Sequence, residues 1–331
     1  MIGKYEVISM DEAMTLFLVV PCFNEEAVLG DTIGQLTDKL ERMMAKGLIS
    51  GDSRMVFVDD GSKDRTWQMI ESANDRSALV DGIKLAKNSG HQNAVLAGMM
   101  SVMDQCDAVI TLDADLQDDI EVLDRFVEEF YKGSQIVYGV RSCRSSDTFF
   151  KRTSAQGFYK LLSKMGIEIV YNHADYRLMS RRALHELAGY KEVNLFLRGI
   201  VPLLGLQTSQ VTYERKERMA GESKYPLKKM LALAMDGITS FSIKPIRFIA
   251  TMGILLFLAS LVMLIVFIVK DAMGVTVAGW STIVISIWGI GGLQLLAIGI
   301  IGEYIGKIYM EAKGRPRYIV EKFLGTAGTV R

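Results

Sequence analysis

The feature that most constrains the fold is a repeated alternation of short apolar runs with longer mixed segments in the amino-terminal part of the chain. The apolar runs predict strands at residues 16–20, 54–58, 82–85, 108–112 and 135–139. The mixed segments predict helices that end near Lys46, Arg76, Met103 and Tyr131. Strands and helices that alternate in this way form a mostly parallel sheet flanked by helices. The predicted fold class is therefore α/β, in a domain that covers residues 1–213.

A polar turn follows each of the first four predicted strands, at residues 21–25, 59–62, 87–90 and 113–115. In open α/β sheets, ligands bind outside the carboxyl ends of the strands, so the turns predict a mononucleotide site at one edge. Each turn also has a plainer interpretation: Asn24 suits a helix cap, and Asp and Gly are favoured in tight turns. The sequence contains no phosphate-binding or dinucleotide glycine motif, which leaves a P-loop NTPase or a dinucleotide oxidoreductase without support.

The turn after the fourth strand carries two carboxylates, Asp113 and Asp115, one residue apart. An apolar core cannot satisfy both, and they repel each other unless a cation lies near them. Hard divalent cations such as Mg²⁺ take oxygen ligands and keep waters and substrate phosphates in their shell. The pattern predicts a metal held by Asp115, helped by Gln117. The alternative is that Asp113 or Asp115 caps the helix that begins near Asp118.

Two long apolar runs indicate a membrane protein. The chain is 50% hydrophobic with a mean hydropathy of +0.21, and the excess lies in the runs 246–269 and 280–301. Each run can cross a hydrocarbon core of about 30 Å. Basic residues lie outside both runs, whereas the connector is nearly neutral, so both flanks are expected in the cytosol and the connector outside. Residues 226–242 suit either an interfacial helix on the bilayer or an ordinary amphipathic packing helix.

The remaining composition excludes several classes. The chain has 38 basic and 38 acidic residues, a balance that does not indicate nucleic acid as a partner. Its three cysteines are widely spaced and form neither a zinc pattern nor a disulfide framework, which fits a reducing cytosolic face. Gly302 and Gly306 form a small-residue pair that is weakly indicative of helix association, and hence of a homo-oligomer.

Several segments together resemble a known family. Val20-Pro-Cys-Phe-Asn-Glu-Glu26, Val58-Asp-Asp-Gly-Ser62 and Asp113-Ala-Asp-Leu-Gln-Asp118 resemble family 2 glycosyltransferases of the GT-A fold. Three later stretches, at 174–179, 220–228 and 236–242, resemble the polyprenyl-phosphate subgroup. That subgroup contains dolichol-phosphate mannose synthase-like enzymes and bacterial undecaprenyl-phosphate glucosyl- and N-acetylglucosaminyltransferases. Asp119 departs from the pattern, since relatives often carry proline there.

The resemblance implies a role for each matching residue. Asp115, with Gln117, would hold Mg²⁺ or Mn²⁺ on the donor diphosphate, and Asp175 and Arg198 would serve the catalytic step. Asp175 has the plainer alternative of an ion pair with Arg177, and Arg198 that of a structural role. The nucleotide sugar would contact Pro21, Asn24, Glu25, Asp59, Asp60, Lys87, Asn88, Gly90, Asp113 and Ala114. The acceptor phosphate would contact Arg215, Arg218, Ser223 and Lys224. The alternative interpretation of this basic group is surface charge near anionic lipid.

The implied activity is inverting transfer of one hexose to a polyprenyl (undecaprenyl) phosphate at the cytosolic membrane face. UDP-glucose is the first choice of donor and UDP-N-acetylglucosamine the second. The implied organisation is a catalytic domain at 1–213, a basic loop and interfacial helix at 214–245, two spans within 246–306, at about 246–269 and 280–303, and a cytosolic tail at 307–331. The chain would be a multi-pass protein of the bacterial inner membrane with both termini in the cytosol. A flippase and a periplasmic or extracellular glycosyltransferase would act downstream.

Two other functions compete with this one. A processive polysaccharide synthase usually needs more spans and resembles a Gln-x-x-Arg-Trp pattern, which the sequence lacks. A catalytically silent membrane partner of a flippase or glycosylation complex would not need the intact Asp113, Asp115 and 221–225 stretches.

Overall fold

The computed structural model describes residues 13–142, 173–192, 195–214, 244–273 and 280–325. These residues fall into two compact units. The first contains residues 13–142, 173–192, 195–214 and 316–325, and the second contains residues 244–273 and 280–315. The predicted acceptor-phosphate residues Arg215, Arg218, Ser223 and Lys224 lie outside the described residues, as does the predicted interfacial helix.

The first unit alternates strands and helices as the sequence predicts. In chain order its elements are β1 (Leu16–Cys22), α1 (Leu29–Ala45), β2 (Arg54–Asp59), α2 (Thr66–Arg76), β3 (Val80–Leu85), α3 (His91–Val102), β4 (Ala108–Thr111), a 3₁₀ turn (Ile120–Val122), α4 (Leu123–Tyr131), β5 (Ile136–Arg141), β6 (His173–Ser180), α5 (Arg181–Ala188), α6 (Leu197–Leu203) and β7 (Thr208–Tyr213). After the second unit, which contains α7 (Lys244–Ala272) and α8 (Trp280–Lys313), the chain adds β8 (Val320–Leu324).

The described strands form one eight-stranded sheet in the order β7-β5-β6-β4-β1-β2-β3-β8. β1 pairs in parallel with β2 and β4, β2 with β3, and β5 with β7. The pairs β4–β6, β5–β6 and β3–β8 are antiparallel. The mostly parallel α/β sheet is thus confirmed. Because β6 runs against β4, its first residues lie at the edge where β4 ends, with Arg177 opposite Thr111.

Close packing in the core positions the sheet edge. Every residue of β1 is buried, as expected for a parallel strand covered on both faces. Helix α3 packs so closely on the sheet that a Cβ added at Gly98 would lie 2.8 Å from Val58 Cγ2. Only glycine allows this approach. The contact fixes α3 against the sheet and so fixes His91, the first residue of α3, at the edge.

The second unit consists of helices α7 and α8, which contain the two predicted spans. Within the described residues, one helical segment, Gly289–Lys313, is long and apolar enough to cross a membrane by length and composition, with a mean hydropathy of 1.4. The helical state of both runs is therefore confirmed, whereas two membrane crossings are not.

Candidate active site

A cleft of about 380 Å³ opens at the carboxyl edge of the sheet, where the predicted turns meet. It is bordered by residues from the turns after β1, β2, β3 and β4 and from the start of α3. They are Pro21, Cys22, Phe23, Glu25, Asp60, Asn88, Gly90, His91, Ala94, Asp113, Ala114 and Asp115. The predicted nucleotide residues Pro21, Glu25, Asp60, Asn88, Gly90, Asp113 and Ala114 thus lie together around one cavity, and so does the predicted metal ligand Asp115. The predicted residues Asn24, Asp59 and Lys87 belong to the same turns.

The turn after β1 is held by the turn after β2. Asn24 has a φ of +56°, which is uncommon for a residue other than glycine. Its backbone N–H donates to Ser62 Oγ at 3.0 Å, and its Oδ1 accepts from the Lys63 N–H at 2.9 Å. The Glu25 N–H donates to Thr66 Oγ1 at 2.9 Å. Asn24 is therefore a link between two turns of the cleft, and the cap of α1 falls at Val28 instead.

Asp60 ties the turn after β2 to the turn after β3. Its two carboxylate oxygens accept from the backbone N–H groups of Ser89, at 2.6 Å, and Gly90, at 2.9 Å. Burial raises the pKa of Asp60, and these two hydrogen bonds oppose the rise. Gly61, with a φ of +70°, allows the approach, because a Cβ there would lie 2.6 Å from the Asn88 nitrogen. Asp60 thus fixes the loop that carries Asn88 and Gly90.

Asp59 is buried like its neighbour Asp60, but unlike Asp60 it does not border the cleft. Its Oδ1 accepts from the Ser62 N–H at 3.2 Å, and burial raises its pKa. Its Oδ2 is buried and has no hydrogen-bond partner within the part of the chain that the structure describes. This places Asp59 behind the cleft, where it shapes the turn.

The acidic turn after β4 carries the predicted metal ligand Asp115 and the predicted nucleotide-sugar contact Asp113. Asp113 and Asp115 both border the cleft, and Asp115 Oδ1 accepts from the Gln117 N–H at 3.3 Å. Burial raises the pKa of Asp113. The neighbouring carboxylates raise it further, and His91 lowers it. Neither residue caps the following helix: Asp119 does so, accepting from the Glu121 N–H at 3.2 Å.

The donor set fits a cation that takes few protein ligands. Among the described residues, no three His, Cys, Asp or Glu side chains form a group that would hold a metal by themselves. Asp113 and Asp115 nevertheless both border the same cavity of about 380 Å³. Mg²⁺ is commonly bound in this way, by one or two carboxylates with substrate phosphates and waters. Gln117, the predicted helper, is buried, with 4% of its surface exposed.

Asp175 lies at the centre of a cationic cluster beside the cleft. Its Oδ1 accepts from Arg177 Nη2 at 2.6 Å, and Arg198 approaches both oxygens, at 3.1 and 3.0 Å. Burial would raise the pKa of Asp175, but His91, Arg198 and Arg177 together hold it well below its usual range. A carboxylate held in this way is a weak base. The geometry therefore favours positioning over base assistance for Asp175, and the expected ion pair with Arg177 is present.

His91 joins this cluster to the acidic turn and was not among the predicted site residues. Its Nε2 lies 3.7 Å from Asp113 Oδ1 and 3.7 Å from Asp175 Oδ2. Burial lowers the pKa of His91, but Asp175 and Asp113 outweigh it, so the net pKa is raised. The only sequence signal was its position directly after the turn at 87–90. Asp113 and Asp175 come together through the antiparallel β4–β6 pairing, which the sequence did not reveal.

The chain is similar to a known protein family and to several known proteins. The model of the family described as Glycosyl transferase family 2 matches residues 17–188. The chain is 54% identical, over 306 residues, to an uncharacterized glycosyltransferase of Bacillus subtilis (strain 168), YkoT, with 92% of this chain and 91% of the relative covered. It is 40% identical, over 313 residues, to the SfII prophage-derived bactoprenol glucosyl transferase of Shigella flexneri, with 93% and 98% covered. Among solved structures, glucosyl-3-phosphoglycerate synthase from Mycobacterium tuberculosis is similar with a TM-score of 0.46 and 18% identity, over 69% of this chain and 79% of that one.

Proposed function

Because the chain belongs to glycosyl transferase family 2, we propose that it transfers one hexose from a nucleotide sugar to a polyprenyl phosphate at the cytosolic face of the membrane. UDP-glucose is the first choice of donor and UDP-N-acetylglucosamine the second. The choice of glucose is supported by the Shigella flexneri relative, which is a bactoprenol glucosyl transferase. The match covers nearly the whole length of both chains. The observation that carries the proposal is the cleft bordered by Asp113, Asp115 and His91, beside which Asp175 pairs with both His91 and Arg198.

The acidic side of the cleft suits the donor. Asp115 would hold Mg²⁺ or Mn²⁺, with Gln117 as a proposed helper. When bound there, the cation would stabilise the negative charge of the leaving UDP. Asp60 keeps the loop with Asn88 and Gly90 in place, next to Pro21 and Glu25 on the other wall. This chain's own contribution is a preformed cavity that orients the sugar–phosphate bond.

The cationic side suits the acceptor. A phosphate monoester has its second pKa near about 6 and is largely a dianion at cellular pH, so it needs alignment more than a strong base. Arg198 is held by both oxygens of Asp175, and its side chain is 37% exposed, so the guanidinium remains accessible to a phosphate. His91 adds a second hydrogen-bond donor, and because its pKa is raised it carries a positive charge in part of the molecules. We propose that both groups align the phosphate for in-line attack and inversion, together with Arg215, Arg218, Ser223 and Lys224.

The connectivity of the sheet supports two membrane crossings. β7 precedes α7 and β8 follows α8, and both strands belong to the same sheet. A sheet lies entirely on one side of a membrane, so the chain between β7 and β8 must cross an even number of times. A crossing by α8, which contains the apolar segment Gly289–Lys313, therefore requires a second crossing. We propose that α7 supplies it, with the catalytic domain and both termini in the cytosol of a bacterial inner membrane. A homo-oligomer, a downstream flippase and a periplasmic or extracellular glycosyltransferase remain proposals from the sequence.

The test is transfer by the purified full-length protein in detergent. Radiolabelled UDP-glucose and UDP-N-acetylglucosamine are supplied separately with undecaprenyl phosphate and MnCl₂ or MgCl₂, and the lipid phase is counted. We expect metal-dependent label in the lipid with UDP-glucose and release of one UDP for each sugar transferred. Label that appears in a growing polymer would indicate a processive synthase, and no transfer from either donor would contradict the proposal.

A further inference from the structure

The turn that carries Asp115 is strained and must be held by its surroundings. Leu116 has a φ of +43°, in the left-handed region that residues other than glycine, asparagine and aspartate rarely adopt. Such a residue costs of order 1–3 kcal/mol and persists only where neighbouring contacts determine it. Within the turn, the Leu116 N–H donates to the Asp113 carbonyl at 3.4 Å and the Gln117 N–H donates to Asp115 Oδ1 at 3.3 Å, and both hydrogen bonds are long. The contacts that fix the turn therefore come from elsewhere in the fold.

One such contact comes from helix α1. Thr32 is buried, with 2% of its surface exposed, and its Oγ1 donates to the Ala114 carbonyl at 2.7 Å. The same hydroxyl lies 3.0 Å from the Val28 carbonyl within its own helix, so its one proton is shared. Ala114 lies between the two cleft carboxylates, and Thr32 thus fixes the first half of the turn against α1.

The second half of the turn is held from β7 and β5. Asp118 is buried, with 5% of its surface exposed, and its Oδ1 accepts from the Tyr213 hydroxyl at 2.7 Å and from Arg141 Nη2 at 3.3 Å. Arg141 Nε also donates to the Tyr213 hydroxyl, at 3.2 Å. Burial, together with Asp118, raises the pKa of Tyr213, so the phenol stays a neutral donor.

A further tyrosine completes the support. The Tyr176 hydroxyl donates to the Asp119 carbonyl at 3.1 Å, and the Tyr176 ring packs edge-on against Tyr213 with centroids 5.3 Å apart. Asp115 is thereby flanked on both sides by anchored residues, and none of the anchoring side chains borders the cleft as the structure describes it.

We propose that Tyr213, Arg141 and Asp118 on one side and Thr32 on the other are positioning residues that hold the turn so that Asp115 faces a bound divalent cation. This inference rests on the proposed function of Asp115. These residues touch neither substrate nor cation. Groups that orient a metal ligand in this way typically contribute about 10–100-fold to metal affinity.

The test measures metal binding rather than turnover. Full-length protein in detergent is titrated with Mn²⁺ in the presence of UDP, and free Mn²⁺ is followed by electron paramagnetic resonance. Tyr213→Phe removes one hydroxyl and should weaken Mn²⁺ binding by about tenfold. Tyr131→Phe is the matched control, because its hydroxyl also makes two hydrogen bonds, here with the Met14 N–H and the Leu48 carbonyl, but away from the cleft. It should leave Mn²⁺ affinity unchanged.

Two additional measurements separate positioning from general destabilisation. Thr32→Val, which keeps the side-chain volume, should weaken Mn²⁺ binding in the same direction and serves as the second variant if Tyr213→Phe folds poorly. Turnover of either variant should return towards that of the unaltered protein at saturating Mn²⁺, whereas Asp115→Asn should not recover. Unchanged Mn²⁺ affinity in both variants would overturn this inference alone. Absence of Mn²⁺ binding by the unaltered protein with UDP would overturn it together with the proposed metal site.

Discussion

Asp175→Asn should unfold the catalytic domain at a much lower temperature, because it removes the negative partner of a buried guanidinium. The side chain of Arg177 is 2% exposed, and its Nη2 lies 2.6 Å from Asp175 Oδ1. Arg177 also donates from Nη1 to the Leu197 carbonyl, but at 3.4 Å this hydrogen bond is long. An amide in place of the carboxylate leaves the buried positive charge without compensation.

The magnitude follows from the burial of this pair. Removing one partner of a buried ion pair costs about 3–5 kcal/mol. Against a total stability of about 5–15 kcal/mol, this is a large fraction. For a domain of this size it corresponds to a fall in the unfolding midpoint of about 10 °C. Because the folded pKa of Asp175 is depressed, the contribution is present above the ordinary carboxyl pKa and is lost only as the pH falls through the depressed value. The difference in unfolding midpoint between the unaltered protein and Asp175→Asn should therefore be full at pH 7 and become smaller only in strong acid.

The assay is thermal unfolding of the full chain in detergent at pH 7, followed by intrinsic fluorescence. Glu129→Gln is the matched control: it makes the same carboxylate-to-amide change in an exposed ion pair, with Lys132 at 2.8 Å, and should leave the midpoint unchanged. Arg198→Ala removes the other, partly exposed partner of Asp175 and should reduce transfer strongly with little change in the midpoint. If Asp175→Asn shifts the midpoint no further than Glu129→Gln does, Asp175 is not what compensates the charge of Arg177.

Other predictions concern the donor site, the sheet edge, the topology and the acceptor. Asp115→Asn should nearly abolish transfer while the unfolding midpoint is kept; near-normal turnover with Mn²⁺ would exclude the metal role. Burial raises the pKa of Asp81 to about 6, so its ionisation opposes folding as the pH rises through that value. Asp81→Asn should therefore raise the midpoint at pH 8 and change it little at pH 4, and an equal shift at both would refute the ionisation argument. A reporter at Gly274 should be external and one after Arg331 cytoplasmic, and a cytoplasmic signal at Gly274 would contradict two crossings. Arg218→Ala should weaken saturation of transfer by polyprenyl phosphate and leave UDP-glucose binding, measured by calorimetry, unchanged. Weaker UDP-glucose binding with unchanged acceptor saturation would assign Arg218 to the donor site instead.

The hydrophobic pattern was sufficient to predict the first five strands and the edge at which their turns meet. The runs behind those strands are mostly apolar, and polar turns follow the first four of them, at 21–25, 59–62, 87–90 and 113–115. The turns 21–25 and 113–115 therefore indicated a site before any contact was known. The plainer interpretation of Asn24 as a cap of α1 was wrong, because its side chain binds the neighbouring turn instead.

The later strands were not predictable from apolar pattern alone. β6 contains Asp175 and Arg177, which neutralise each other only after folding. β7 begins with the polar sequence Thr-Ser-Gln and exposes much of its surface, so it lacks the signature of a buried strand. The His91 site depends on the β4–β6 pairing, and the bond between Tyr213 and Asp118 depends on the placement of β7. Such partners are far apart in sequence and meet only through the topology.

The last strand also affects how the protein is made. β8 covers β3, and it is translated only after both long helices. Until residues 320–324 leave the ribosome, the nascent chain presents β3 as an open edge, to which a strand from another chain can pair. Asp81 lies in that edge strand, and its carboxylate is nearly fully buried once β8 and Gly325 are in place. A charge at this position discourages foreign strands from pairing during synthesis, at the cost of its own burial in the finished molecule. The sheet is therefore completed only after both long helices have been synthesised.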